Sequence, residues 1–319
     1  MFPIVFPLEI EEMILDILSE DDEGHSTLKT CSLVCQAFLP MCRKHIFGSI
    51  VLNATHYASD LDGDMVSTPS SHTTHAFERL LRETPEIADY IRKLDYTIRT
   101  DDLTSPSIQE SLKRISRLEF LSVDHNNWMI GTTLDWSNNP IRPALLHLLH
   151  LPTLTHFKMA RIDDFVISDL IPCVNLKYLD IVILTTGAAE TTFPAALPEH
   201  SVQLNEFITG IKNPTTIKAL CTGRRPDGRP IIDFGSLSKI TVAIQMPDED
   251  EASQELFRHC HALTSVNISC KCYLHCDHQK FFNCSPLSSL ESSECQAQPC
   301  RHAEAIDADS KAHPRGFRC

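Results

Sequence analysis

The sequence predicts an α+β or α/β repeat fold in three parts: a module of three helices, an irregular solenoid of helices and strands, and a disordered tail. Three observations lead to this prediction. Apolar residues follow helical spacing before residue 52, a strand pattern recurs between residues 76 and 269, and periodicity is lost after it. The predicted boundaries are 1–52 for the helical module, 53–75 for a polar linker, 76–269 for the repeat region and 270–319 for the tail.

Two amphipathic runs and a short third segment predict the helices of the module. The first run follows Pro7 and has acidic residues in its opening turn, where the helix dipole favours negative charge. The second begins near Ser26 and ends before Pro40, which can open a short third helix. Three short helices enclose only a small core, so the module should gain stability from packing on a neighbour or a partner. The apolar positions at helical spacing are Ile10, Met13, Ile14, Ile17 and Leu18 in the first run, and Leu28, Cys31, Val34, Cys35 and Phe38 in the second.

The pattern Leu-x-x-Φ-x-Φ, in which Φ is apolar, recurs along the middle of the chain and ends in the alternation typical of a half-buried strand. Helical segments precede several copies, as at Ser107, Pro143 and Glu251. A repeated helix and strand predict a leucine-rich-repeat-like solenoid, although the Asn typical of such repeats follows only the first copy, as Asn126. The alternative is an ordinary layered α/β domain. The full copies are Leu118, Leu121, Val123; Leu154, Phe157, Met159; Leu176, Leu179, Ile181; Leu237, Ile240, Val242; and Leu263, Val266, Ile268.

Composition and charge exclude several classes of protein. Lys and Arg number 28 against 42 Asp and Glu, and the formal net charge of −14 argues against a nucleic-acid partner, because phosphate binding needs clustered cations. No apolar run approaches the roughly 18 residues of a membrane span, and no signal-like segment opens the chain. We therefore expect an intracellular protein, cytoplasmic or nuclear, whose 13 cysteines are free thiols rather than disulfides.

Sequence motifs for catalysis are missing, among them the Gly-x-Ser-x-Gly elbow, a Gly-rich phosphate loop and His-Glu-x-x-His. We therefore predict that the chain is not an enzyme and carries no catalytic residue and no cofactor. The best metal candidate is Cys270, Cys272, Cys276 and His278, with Cys284 nearby. These are zinc ligands by type, but their spacing differs from that of paired zinc knuckles, and scattered cysteines in a flexible tail explain the pattern as well. We predict no metal site.

Three N-terminal segments agree in order and spacing with a known family. They are Phe6 to Ile10, Ile14 to Leu18, and Thr30 to Phe38. Together they resemble the divergent F-box common in large fungal families. The usual F-box opens with Leu-Pro-x-Glu, continues with an apolar helix and then has a Val-Cys-x-x-Trp element. Here Phe6 stands for the first Leu and Phe38 for the Trp. The resemblance covers about 45 of the 319 residues.

The resemblance implies a role in protein degradation. F-box proteins bind the Skp-type adaptor of a cullin–RING ubiquitin ligase through this module, and their downstream domain, often leucine-rich repeats, binds a protein substrate. The implied function is therefore that of a substrate-recognition adaptor of an SCF-type ligase. The alternative is a leucine-rich-repeat scaffold whose helices are only an N-terminal cap. The sequence leaves open the substrate, the binding face, the role of the tail and any need for phosphorylation. The implied adaptor contacts are Phe6, Pro7, Leu8, Ile10, Ile14, Leu28, Val34, Cys35 and Phe38.

Overall fold

Parallel strands and the helices between them make up most of the molecule. The computed structural model describes residues 8–20, 24–34, 36, 38–53, 73–125, 133–186, 197–209, 214–244, 247–270 and 295–298. The strands are β1 Ser49–Leu52, β2 Lys93–Ile98, β3 Phe120–His125, β4 Leu134–Asp135, β5 His156–Phe165, β6 Tyr178–Thr186, β7 Val202–Gln203, β8 Glu206–Thr209, β9 Ile232–Asp233, β10 Lys239–Ile244, β11 Ser265–Cys270 and β12 Cys295–Gln298.

Helices occupy the connections between many of these strands. In the part of the chain that the structure describes, every helix is too short or too polar to cross a bilayer. Short 3₁₀ helices occur at Pro85–Asp89, Ile167–Leu170 and Phe234–Ser236. The α-helices are α1 Leu8–Glu20, α2 Gly24–Val34, α3 Phe38–Ile46, α4 Thr73–Glu83, α5 Thr100–Leu103, α6 Pro106–Lys113, α7 Arg142–Leu149, α8 Pro214–Thr222 and α9 Pro247–His259.

Among the described residues, ten strands form one central parallel sheet. Its order is β1-β2-β3-β5-β6-β8-β10-β11-β12, with β4 beside β5, while β7 and β9 form a separate pair. Neighbouring strands therefore follow chain order. Crossovers between parallel strands are right-handed in nearly all proteins, so a sheet that always advances in one direction carries its helices on one face. We call the opposite face, which the helices of the described residues leave uncovered, the open face.

One hydrophobic core lies between the sheet and the helix layer. Leu94 is opposite Leu121, and Leu121 is opposite Phe157, so the same side of each strand faces the core. Leu112 of α6 and Leu145 of α7 belong to the same buried cluster. The last two apolar residues of each Leu-x-x-Φ-x-Φ copy are part of this core, because alternate strand residues point to the same side.

This architecture corrects the predicted fold class. The chain is α/β with a central parallel sheet, Rossmann-like in that its strands are joined through helices, and not a three-helix module followed by a leucine-rich-repeat-like solenoid and a disordered tail. Strand β1 comes from residues assigned to the module, and β12 comes from residues assigned to the tail, yet both belong to the central sheet. The periodicity misled because a repeat unit and a β-α-β unit bury the same alternating strand face under a helix. Most of the predicted linker and tail lies outside the described residues.

The first three helices have a small apolar cluster of their own. Leu15 of α1, Leu28 of α2 and Cys42 of α3 are buried against one another, and Phe38 packs on them. This cluster is distinct from the main core. Phe47, directly after α3, packs on the main core instead and leads into β1. The three helices are thus held together by few buried side chains, and the chain joins them to the sheet at the end of α3.

Asn53, at the end of β1, ties the first strand to the following elements. Its side-chain nitrogen donates to the carbonyl oxygen of Thr97 at 3.1 Å and to the carboxylate of Asp102 at 2.9 Å. Its side-chain oxygen accepts from the hydroxyls of Thr73 at 2.9 Å and Thr74 at 2.8 Å. Asn53 has a φ of 57°, in the left-handed region that Asn tolerates better than most residues. The buried amide therefore makes four hydrogen bonds in a backbone conformation that suits it.

Replacing Asn53 by Ala should cost about 2–4 kcal/mol of unfolding free energy, because buried polar partners lose their hydrogen bonds and Ala is disfavoured at positive φ. Urea unfolding of the two proteins measures the difference. Asn175→Ala is the matched control, since this exposed Asn makes one hydrogen bond, to the carbonyl oxygen of Pro152. Its cost should stay below about 1 kcal/mol. Equal losses for the two variants would contradict this account of Asn53.

Candidate binding surfaces

Helix α1 is apolar on two sides, and one side faces solvent. Leu15 is buried toward α2 and α3 and Leu18 is half-buried. Met13, Ile14 and Ile17 are 51%, 47% and 64% exposed. The stripe predicted from helical spacing is therefore mostly the outer side of the helix. An amphipathic helix in a free-standing globular protein normally turns such a stripe inward.

Two more exposed apolar side chains lie at the end of α2. Leu33 is 87% exposed and Val34 is 73% exposed. We call Met13, Ile14, Ile17, Leu33 and Val34 together the N-terminal apolar surface. With Val51 on the sheet, these five are the large apolar side chains that the described part of the chain leaves exposed. Single exposed apolar residues are ordinary, but their concentration on two short helices indicates an interaction surface.

The structure divides the predicted adaptor contacts into accessible and inaccessible groups. Ile14 and Val34 are exposed and available to a partner. Leu28 is buried in the small cluster, so its role is packing. Ile10 and Phe38 are half-buried. Phe6, Pro7 and Cys35 lie outside the described residues, and Leu8 is the first residue of α1.

Met13, Ile17 and Leu33 belong to the same surface and were not among the predicted contacts. Met13 and Ile17 are four residues apart and Ile14 lies next to them on the helix, so a helical wheel groups the three side chains. The sequence carries no signal for which side of an apolar helix remains uncovered, since that depends on where the neighbouring helices pack. Leu33 is not one of the apolar positions at helical spacing in the second run, so periodicity gives no signal for it.

The open face of the central sheet presents rows of side chains that run across the strands. Neighbouring rows lie two residues apart along each strand, or roughly 7 Å. The strand register sets which residues share a row. The first row contains Ser49, Lys93, Phe120, His156, Tyr178, Glu206 and Lys239; the second contains Val51, Asp95, Ser122, Lys158, Asp180, Ile208 and Thr241; the third contains Thr97, Asp124, Ala160 and Val182.

Aromatic rings occupy the middle of the first row. The ring centroids of Phe120 and His156 are 6.2 Å apart, and those of His156 and Tyr178 are 5.4 Å apart with the planes 30° from parallel. Burial, with the charges of Asp180 and Glu206, raises the pKa of Tyr178 to about 12, so its hydroxyl stays protonated at neutral pH. The row thus offers a partly apolar, aromatic surface to solvent, and aromatic residues are enriched in protein interfaces.

Ion pairs fix the charges on the same face. Glu206 and Lys239 approach to 2.8 Å in the first row, and Lys158 and Asp180 to 3.6 Å in the second. In the third row, Asp124 is held by the guanidinium of Arg161. Cross-strand pairs of opposite charge stabilise a sheet by a few tenths to about 1 kcal/mol each. They also cancel much of the local field.

A cavity of about 230 Å³ opens on this face. It extends over β1, β2, β3 and β5 and is large enough for one amino-acid side chain. Within the described residues, no group of three or more His, Cys, Asp or Glu side chains could hold a metal ion. The zinc candidate stays untested, because of its residues only Cys270 lies within the described ranges. The lining residues are Val51, Asp95, Thr97, Ser122, Val123, Asp124, Lys158 and Ala160.

No family model matches this chain, and no curated protein matches it. The N-terminal resemblance to the F-box therefore depends on the residues that carry it. The N-terminal apolar surface and the open face of the central sheet are the two features from which a function can be inferred.

Asp180 lies on the open face, yet it is only 5% exposed, and one of its carboxylate oxygens has no hydrogen-bond partner among the described residues. Burial raises the pKa of this carboxyl, and Lys158 only partly offsets the effect. The folded state therefore holds the proton more tightly than the unfolded state, so this group's contribution to stability falls as pH rises through the ordinary Asp range and the raised pKa.

Asp180→Asn should accordingly raise the unfolding free energy at pH 7 relative to the wild type and should remove this pH-dependent loss. Urea unfolding between about pH 4 and pH 7 measures both effects. Asp95→Asn, an exposed carboxylate in the same row, serves as the control and should change stability little. The difference in unfolding free energy between Asp180→Asn and the wild type should grow from pH 4 to pH 7. A difference that falls over this range would refute the assignment.

Proposed function

We propose that this chain is a non-catalytic substrate-recognition adaptor of an SCF-type cullin–RING ubiquitin ligase. Its first two helices dock on the Skp-type adaptor, and the open face of its sheet binds a protein substrate. The N-terminal apolar surface carries the proposal. Ile14 and Val34, two positions that the F-box resemblance assigns to the adaptor contact, are accessible within it.

Burial of this surface supplies a driving force for docking. Fully covering an exposed aliphatic side chain of this size contributes about 1.5–3 kcal/mol before the costs of association. Five large apolar side chains on α1 and α2 are exposed and could contribute in this way. A partner with an apolar groove fits them better than a highly charged one, since charged groups are depleted from the centres of interfaces.

The separation between the two apolar clusters supports separate binding roles for the first three helices and for the sheet. Leu15, Leu28 and Cys42 hold the first three helices together apart from the main core. A partner that covers the outer side of α1 therefore need not disturb the main core under the sheet. Such an arrangement suits an adaptor, because one end must stay bound to the ligase while the other end exchanges substrates.

A scaffold whose N-terminal helices act only as a cap is the second candidate. Phe47 packs on the main core directly after α3, and an ion pair of 3.3 Å joins Arg43 of α3 to Glu86. These contacts favour a capping role for the end of α3. A cap alone gives no role to Ile14, Val34 and their exposed neighbours, which is why docking is preferred.

The double variant Ile14→Ala, Val34→Ala should bind a purified Skp-type adaptor at least about tenfold more weakly than the wild-type chain, because two exposed anchors are truncated. Isothermal titration calorimetry measures the affinity. Both residues are exposed and Ala has the higher helix propensity, so the fold should be preserved, as a thermal unfolding curve can verify.

Val51→Ala is the matched control for adaptor binding. Val51 is an exposed aliphatic residue of similar size, but it lies on the sheet and not on the first two helices. Its variant should bind the adaptor like the wild type. A folded wild-type chain that fails to bind any Skp-type adaptor offered would sink the proposal, and the capped scaffold would take its place.

A further inference from the structure

The cavity on the open face is lined by three charged residues, of which one has no ion-pair partner among the described residues. Asp95 is exposed at its lining and has no ion-pair partner among the described residues. The other charged lining residues, Asp124 and Lys158, are each engaged elsewhere. Lys93, one row away on the same strand, does not line the cavity. The cavity therefore offers a partner one uncompensated negative charge.

Lys158 and Asp124, the other two charged residues of the cavity, already have partners. Lys158 is on β5 and its ammonium group is 3.6 Å from Asp180 on β6, on the side of β5 away from β2 and β3. Asp124 accepts hydrogen bonds from two nitrogens of Arg161 and from the backbone N–H of His125. An anionic ligand would have to compete with Asp180 for Lys158 and would meet Asp95. A phosphate group is thus disfavoured at this site.

The remaining lining residues suit a long side chain with a polar end. Val51 and Ala160 supply apolar walls, while Thr97 and Ser122 supply hydroxyl groups that are themselves largely buried. Lys and Arg combine an aliphatic stem with a cationic head rich in hydrogen-bond donors. The volume of about 230 Å³ accommodates one such side chain.

We propose that this cavity recognises a Lys or Arg side chain of the bound protein, with Asp95 pairing the cationic head. The inference rests on the proposed function, which makes the open face the substrate surface, and it names the chemistry that selects the substrate. The formal net charge of −14 favours the approach of a basic segment. An extended segment that crosses the strands beside the Phe120 and His156 rings places its side chains one row from the cavity.

Amidated octapeptides of Ala, Gly and Ser test the proposal. Each carries one central residue: Arg, Lys, citrulline, Leu or phosphoserine. Fluorescence polarisation with the full-length chain at low salt should show Arg and Lys peptides bound about fivefold more tightly than citrulline and Leu peptides, with phosphoserine weakest. The preference should shrink as NaCl is added.

Asp95→Asn should abolish the preference for Arg and Lys over citrulline. Glu83→Gln, which removes one carboxylate from the exposed end of α4 in the helix layer, is the matched control with the same change in net charge. It should keep the preference. Retention of the preference in the Asp95→Asn protein, or its equal loss in both variants, would overturn the assignment to this cavity.

Adaptor binding, measured in parallel, separates this inference from the function on which it rests. A chain that binds the Skp-type adaptor but shows no preference among the peptides, or prefers phosphoserine, overturns the cavity proposal alone. A chain that prefers Arg and Lys through Asp95 but binds no adaptor supports the cavity and removes the ligase role.

Discussion

One-sided burial of the central sheet is the constraint on which the rest of the structure depends. Each strand places residues such as Leu121, Phe157 and Leu179 under the helix layer, and the parallel register holds them in line from strand to strand. A shift of one residue in any strand would exchange its buried and open sides. Burial of the opposite face therefore fixes the strand register, and the register in turn fixes the rows of aromatic and charged residues on the open face.

The sequence predicted the elements better than their assembly. Alternation at Leu121 and Val123, or at Ile240 and Val242, correctly marked half-buried strands. The fold class was wrong because this alternation reports the burial of one strand face, whichever arrangement of helices covers it. The strand at β1 was missed because four residues are too few for a periodic signal, and the contacts that place it, such as those of Asn53, come from distant residues.

Site prediction met a similar limit. Helical spacing identified Ile14 and Leu28 as apolar positions of equal standing, but packing of α1, α2 and α3 exposes the first and buries the second. The open-face cavity could not be foreseen, since Asp95, Ser122 and Lys158 look like ordinary solvent-facing residues until the strand register aligns them. Both surfaces are products of tertiary contacts, which the pattern of a single sequence does not report.

The apolar outer side of α1 also bears on how the chain exists when it is alone. We expect three helices with so small a buried cluster to open more readily than the sheet, and opening would add Leu15 and Leu28 to the apolar residues already in solvent. Chaperones and proteases act on such regions. If a partner covers the first two helices, as proposed, we expect a copy without that partner to be degraded sooner and the cellular amount of this protein to follow the partner's supply.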